Sequence, residues 1–192
     1  MKVRVLAISG SLRRDAYSTM VAKAASRAAP EEFDVTLFGG LGSIPGFNED
    51  LEPDAVPEEV EELRRQIEGA DALLLVTPEY NASAPGALKN AIDWASRPHG
   101  ASALMGKPAA IVSSSPMPFG GVWAGQQIRK AFSITGTPVV ETELAIGKVD
   151  EKFGPDGLLM DDETRLKLTA LLVEMEELAG QVNQAAQEER PS

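Results

Sequence analysis

The chain has no cysteine and only one histidine, His99. Without cysteine, a disulfide, a thiolate metal site and a cysteine nucleophile are all excluded. A single histidine gives no basis for a histidine metal cluster or for a serine–histidine triad. The lack of cysteine also fits a reducing compartment, and we expect a cytoplasmic location.

Long apolar runs and an excess of positive charge are lacking too. No run approaches the roughly 20 apolar residues of a membrane span. A strand pattern begins directly after Met1, so no signal peptide is expected. Lys and Arg total 18 against 29 Asp and Glu, which leaves a net charge of −11. That charge repels nucleic acid and anionic membranes, and we expect neither as a partner.

The chain does contain a regular alternation of hydrophobic patterns. Five helical patterns alternate with five apolar strand candidates, at residues 2–9, 34–38, 71–77, 108–114 and 138–146. Nearly continuous apolar strands between helices predict an α/β fold with a doubly wound parallel sheet, and the short second strand suits an edge. No linker or repeat divides the 192 residues, so we expect one domain over 1–183 and a frayed polar tail over 184–192.

Three local features refine this pattern. Pro57 stands where a second helix should begin, and Asp161 or Asp162 can cap the last helix. Residues 39–56 contain glycine, proline and acids without periodicity. A loop of that length in a compact domain is usually functional or mobile.

The loop after the first strand has the composition of a phosphate site. It reads Gly-Ser-Leu-Arg-Arg-Asp-Ala and leads into a helix, whose start offers free N–H groups and a positive dipole end. It matches neither the GxGxxG nor the GxxxxGK[ST] pattern. Alternatively, Ser18 caps the helix and Arg13 is merely solvated. The candidate phosphate ligands are Ser9, Ser11, Arg13, Ser18 and Thr19.

The loop after the third strand, within residues 77–94, can hold a flat heteroaromatic ring. Its prolines fix the backbone, Tyr80 can line a pocket, and Asn81 supplies donors and an acceptor. Alternatively, it is only a rigid connection in which Ser83 caps a helix starting at Pro85-Gly86. We assign Glu79 and Asp93 no acid–base role. The candidate ring contacts are Pro78, Glu79, Tyr80 and Asn81.

The loop after the fourth strand, residues 113–121, precedes a helix that begins near Val122. The N–H groups of such a helix start can bind a ring edge and stabilise negative charge that develops there. Alternatively, Gly120-Gly121 is a flexible turn. Parallel strands bring all three loops to one edge, and strands one and three flank the switch point of a 2-1-3-4-5 sheet. The candidates here are Ser113, Ser114, Gly120 and Gly121.

At these residues the chain resembles the NAD(P)H-dependent FMN reductase family, over residues 2–178. The resemblance rests on SGSLR at 9–13, TPEYNASAPGALKNAIDW at 77–94, the 113–121 loop and residues 44–52. It implies a flavodoxin-like fold, non-covalent FMN and a homodimer or homotetramer. The family often continues GSLR-x-x-S-x-N, whereas this chain has Ala16 and Ser18 at the last two marked positions, so Ser18 and Thr19 would replace those ligands.

The resemblance implies an FMN-dependent NAD(P)H oxidoreductase. NADPH or NADH would deliver hydride to flavin N5 and leave, and a small acceptor such as FMN or a quinone would enter the same face. Arg14, Arg97 and Arg129 are candidates for a 2′-phosphate contact. An alternative is a flavodoxin-type electron carrier that binds redox proteins, which the acidic charge favours and the SGSLR and TPEYN motifs oppose. A third is a flavin-free scaffold.

Overall fold

A five-stranded parallel sheet forms the centre of the computed structural model, which describes residues 2–52 and 55–188. Its strands are β1 (Val3–Ser9), β2 (Phe33–Leu37), β3 (Ala72–Thr77), β4 (Ala109–Ser114) and β5 (Leu144–Ile146). The order is β2-β1-β3-β4-β5, and every neighbouring pair is parallel. The predicted flavodoxin-like order is therefore confirmed, with β2 at an edge.

Helices cover both faces of this sheet. For this reason β3 and β4 are buried along their whole length. Helices α1 (Tyr17–Ala28) and α5 (Asp162–Glu188) pack on one face. Helices α2 (Glu58–Gly69), α3 (Gly86–Ala95) and α4 (Val122–Thr135) pack on the other. Among the described residues, no helix combines the length and the apolar character that crossing a bilayer requires.

The fifth strand is shorter than the predicted 138–146. Val139 forms an isolated bridge with Ala109, and regular pairing resumes only at Leu144–Ile146. Side chains from two helices bind the backbone in between. The N–H of Thr142 donates to Glu174 Oε1 at 3.1 Å, and Arg129 donates to the carbonyls of Val140 and Thr142. Pairing with β4 is interrupted where side chains of α4 and α5 bind Val140 O and the N–H and carbonyl of Thr142.

The aperiodic stretch from residue 39 lies against α3. The side chain of Asn90 accepts from Phe47 N at 2.7 Å and donates to Pro45 O at 2.9 Å. The indole N–H of Trp94 donates to the same carbonyl at 2.8 Å, and its ring meets Phe47 edge to face. Two short 3-10 helices, Leu41–Ser43 and Glu49–Leu51, lie in the stretch. Residues 53 and 54 of this predicted loop lie outside the described residues.

Asp161 caps the last helix, as one of the two predicted candidates. Its Oδ2 accepts from Thr164 N at 2.8 Å and lies 3.1 Å from Lys152 Nζ. The hydroxyl and N–H of Thr164, together with Lys152, lower the pKa of Asp161 to about 2. The helix runs to Glu188, past residue 184 where we expected the tail to begin. Residues 189–192 of that tail lie outside the described residues.

Candidate functional site

The three predicted loops meet at the carboxyl edge of the sheet. Ser9 pairs in register with Val76, and Thr77 with Ser113, so β1, β3 and β4 end side by side. Gly10 shows how closely the first two loops approach each other. A Cβ on Gly10 would stand 2.9 Å from Leu88 Cδ2 and 3.3 Å from Pro78 Cδ, so a larger residue would push the loops apart.

Three of the predicted phosphate ligands are hydrogen-bonded to one another. Ser9 Oγ lies 3.0 Å from Ser18 Oγ and 2.8 Å from Thr19 Oγ1, and Ser18 is only 1% exposed. These hydroxyls therefore fasten the start of α1 to the end of β1, beneath the loop. No side chain among the described residues caps α1, so the alternative that Ser18 caps this helix is wrong.

The start of α1 nevertheless has the chemistry of an anion site. Its N-cap residue is Ala16, its first turn contains no acid, and its first N–H groups receive no side-chain bond. Such a start attracts negative charge through its free donors and its dipole. Arg13 is exposed next to this helix start, and its backbone N–H donates to Ser11 Oγ at 3.3 Å. These groups fit a phosphate despite the net charge of −11.

The loop after β3 is a tight turn with an unusual backbone. Tyr80 and Ser83 exchange backbone hydrogen bonds of 2.9 and 3.1 Å. Asn81 and Ala82 between them have φ of 53° and 59°, a left-handed region that asparagine tolerates and that costs energy for alanine. Such strain is typical of ligand clamps. The Asn81 side chain is exposed at the tip, where it can bind a ligand.

Tyr80 joins this turn to the loop after β1, which contains the candidate phosphate ligands. Its hydroxyl lies 3.0 Å from Ser11 Oγ, and the Ser11 side chain is buried. Helix α3 then starts at Pro85-Gly86, as predicted, and no side chain caps it, so the alternative capping role of Ser83 is wrong. Asp93 is paired with Lys89, in line with our decision to give it no acid–base role.

The loop after β4 exposes apolar side chains at its surface, whereas the side chains of its first two serines are buried. Ser113 and Ser114 are 3% and 2% exposed, so both side chains lie within the protein. The Ser114 Oγ has no hydrogen-bond partner among the described residues. Gly120 and Gly121 have φ of 63° and 76°, which turn the chain sharply into α4. The alternative of a merely flexible turn is not supported, since Gly120 packs tightly against the end of β5.

Glu79 has a partner that the sequence did not reveal. Its Oε2 accepts from Trp123 N at 3.0 Å and Ala124 N at 3.2 Å, in the first turn of α4. We predicted that these donors would face a ring edge, but the carboxylate of another loop already binds them. A second contact was missed as well, between Ala84 N and Gln127 Oε1 at 2.7 Å. Side chains separated by 40 or more positions in the chain leave no local pattern.

Several large apolar side chains are exposed on the loops at the carboxyl edge of the sheet. We call this set the apolar rim. Large exposed apolar groups that cluster at a cleft mark a binding surface. Its members come from all three loops and the first turn of α4, and they are Leu12, Tyr80, Met117, Phe119 and Trp123.

The three arginines considered for a 2′-phosphate differ in their surroundings. Arg97 bonds to Glu49 at 2.7 Å and lies over the Phe47 ring. Arg129 bonds to the carbonyls between α4 and β5. Arg14 is exposed next to the phosphate loop. No group of His, Cys, Asp and Glu that could hold a metal occurs in the part of the chain that the structure describes.

A doubly wound sheet in this order, with a helix start suited to an anion after β1 and a tight turn after β3, is the architecture of a flavodoxin-like flavoprotein. The family model for NADPH-dependent FMN reductase matches residues 3–151. The chain belongs to that family and is an FMN-dependent NAD(P)H oxidoreductase, as the sequence predicted. FMN fits the residues described above, since the uncapped α1 start suits its phosphate and the strained turn suits its ring.

Named relatives support this assignment. A quinone reductase from Pseudomonas putida is 41% identical over 169 residues, 88% of this chain and 90% of its own. An NAD(P)H-dependent FMN reductase from Pseudomonas aeruginosa is 40% identical, covering 85% and 88%. The structure of FerB, a flavoenzyme NAD(P)H:(acceptor) oxidoreductase from Paracoccus denitrificans, is 34% identical with a TM-score of 0.81, covering 94% and 97%. These matches favour the enzyme over the electron carrier and over the flavin-free scaffold.

Proposed function

We propose that the physiological acceptor is a quinone or a similar flat aromatic molecule. The apolar rim carries this proposal, because Phe119 and Met117, in the loop after β4, are 73% and 67% exposed. A planar apolar acceptor can replace water on these side chains and gain free energy by doing so. The P. putida relative is itself named a quinone reductase, which supports the same class of acceptor.

When bound, FMN supplies the redox chemistry, since it can accept a hydride from NAD(P)H and pass electrons on. The residues of this chain bind and orient it. The start of α1 and Arg13 hold the phosphate end, and Ser11 couples that end to Tyr80. The Tyr80–Ser83 turn presents its backbone to the ring end. Acid–base side chains are not required, which agrees with the helix-capping role of Glu79.

We predict that donor and acceptor use the same face in turn. The expected kinetics are then ping-pong, because NAD(P)⁺ leaves before the quinone binds. Initial rates measured over a grid of NADPH and benzoquinone concentrations should give parallel double-reciprocal lines. Lines that intersect would contradict a shared face.

We also propose a homodimer or homotetramer in the cytoplasm. The resemblance to the family implies the assembly, and the cytoplasm supplies NAD(P)H. Ile134 and Leu166 lie outside the apolar rim and are 83% and 70% exposed, which leaves apolar surface available for subunit contacts. Sedimentation equilibrium should give a mass of two or four chains of 20.4 kDa. The mass of one chain at micromolar concentration would contradict the assembly.

A further inference from the structure

Glu79 supplies the cap that helix α4 lacks in its own sequence. The N-cap residue is Gly121, which has no side chain, and the first turn of α4 contains no acid. The Glu79 carboxylate reaches it from the loop after β3 and accepts from the Trp123 and Ala124 N–H groups. The approach depends on glycine, because a Cβ on Gly121 would stand 3.1 Å from Glu79 Cβ.

A second contact fixes the other end of the same loop. The N–H of Ala84 donates to Gln127 Oε1, one turn further along α4. The two contacts lie on either side of the left-handed Asn81–Ala82 turn. Because the left-handed conformation is unfavourable for Ala82, contacts at both ends help to hold this turn. We call the loop after β3 the ring loop. Glu79 and Gln127 fasten the ring loop to α4, so that the two form one unit.

The Glu79 contact differs from the Gln127 contact in its charge. A free helix N-terminus beside the cleft would stabilise a ring that becomes anionic on reduction. The Glu79 carboxylate instead occupies this N-terminus and brings a full negative charge to the ring loop. Its effect on a nearby anion is repulsive, and it is strengthened by the partial burial of the side chain.

We propose that Glu79 is a positioning residue with two effects: it fastens the ring loop to α4, and its charge weakens the binding of reduced FMN relative to oxidised FMN. This inference rests on the proposed function, because it takes the ring of FMN to lie at this loop. Reduced FMN that is held less tightly is the stronger reductant. The enzyme would then pass electrons to its acceptor more readily.

Three variants separate the two effects. Glu79→Gln keeps an oxygen that can accept from α4 but removes the charge. Glu79→Ala removes both the accepting oxygen and the charge. Gln127→Leu removes only the neutral contact with Ala84. The measured quantity is the ratio of the dissociation constants of oxidised and reduced FMN, obtained by anaerobic titration of the apoprotein. A tenfold change in this ratio equals a shift of about 30 mV in the two-electron potential.

We expect Glu79→Ala and Gln127→Leu to weaken the binding of oxidised FMN by about fivefold, the usual cost of a lost hydrogen bond. We expect Glu79→Gln to weaken the binding of oxidised FMN by no more than about threefold. Glu79→Gln and Glu79→Ala should both shift the ratio toward reduced FMN by about threefold to tenfold, a Coulombic effect of one partly screened charge. Gln127→Leu should keep the wild-type ratio. Thermal unfolding of each apoprotein checks that the variants are folded.

Three outcomes would overturn parts of this account. If wild-type protein binds FMN tightly and Glu79→Gln has the wild-type ratio, the charge effect is wrong while the proposed function stands. The charge effect is also wrong if Gln127→Leu shifts the ratio as far as Glu79→Gln does. If the wild-type protein fails to bind FMN, the proposed function is overturned and this inference with it.

Discussion

Replacing Arg13 by glutamine should raise the dissociation constant for FMN by about thirtyfold. A hydrogen bond to a charged group contributes about 1.5–3 kcal/mol, and 1.4 kcal/mol is tenfold. The net charge of −11 gives a phosphate no long-range attraction, so the local charge of Arg13 matters. The start of α1 and its free N–H groups would still hold part of the phosphate, so binding should weaken rather than vanish. Titration of the apoprotein, followed by flavin fluorescence, measures the change.

Riboflavin is the matched ligand for this test, because it lacks the phosphate. Its dissociation constant should change by less than about threefold in Arg13→Gln, so the preference for FMN over riboflavin should fall. Arg14→Gln is the matched protein control, since Arg14 is the neighbouring exposed arginine. It should leave FMN binding within about threefold of wild type. Equal losses for both ligands would place Arg13 away from the phosphate.

Replacing Gly120 by alanine should lower the free energy of unfolding by about 2–4 kcal/mol. The backbone of Gly120 has φ of 63°, where a side chain alone costs about 1–3 kcal/mol. The new Cβ would also stand 2.8 Å from three backbone atoms, in Ala145, Ile146 and Gly147. Backbone atoms of β5 and the turn after it cannot move aside as a flexible side chain can. Urea unfolding followed by circular dichroism measures the loss.

Gly180→Ala is the matched control for Gly120→Ala. Gly180 lies inside α5, and nothing within 4 Å would meet an added Cβ. Alanine there should raise the free energy of unfolding by about 0.5–1 kcal/mol, because glycine is the poorer helix former. If the free energy of unfolding of Gly120→Ala lies within about 0.5 kcal/mol of the wild-type value, the tight packing of this loop against β5 is wrong.

The parallel sheet and the position of the three loops could be predicted because they depend on continuous patterns, whereas the order 2-1-3-4-5 was implied by the resemblance to the family. The apolar runs of β3 and β4 are unbroken, and parallel strands must end at one edge of the sheet. The interruption before β5 could not be predicted. Arg129 and Glu174 bind the backbone there from α4 and α5, and nothing in residues 138–146 records their positions.

The sequence indicated which loops meet at the edge of the sheet, but not the contacts that their side chains make. Hydroxyls after β1 pointed to phosphate, yet Ser9 and Ser18 bind each other below the loop. The composition of a loop indicates which groups are available, whereas packing decides which of them face the ligand. Glu79 is the clearest example, since its partners are the Trp123 and Ala124 N–H groups on another element.

Anaerobic reduction of the FMN-loaded protein tests the central claim most directly. NADPH or NADH, added in equimolar amount without acceptor, should bleach the flavin absorbance near 450 nm. A quinone added afterwards should restore it in the absence of oxygen, with one quinone consumed per flavin. A flavin that stays oxidised with both nicotinamide cofactors, or bleached flavin that no quinone reoxidises, would contradict the account.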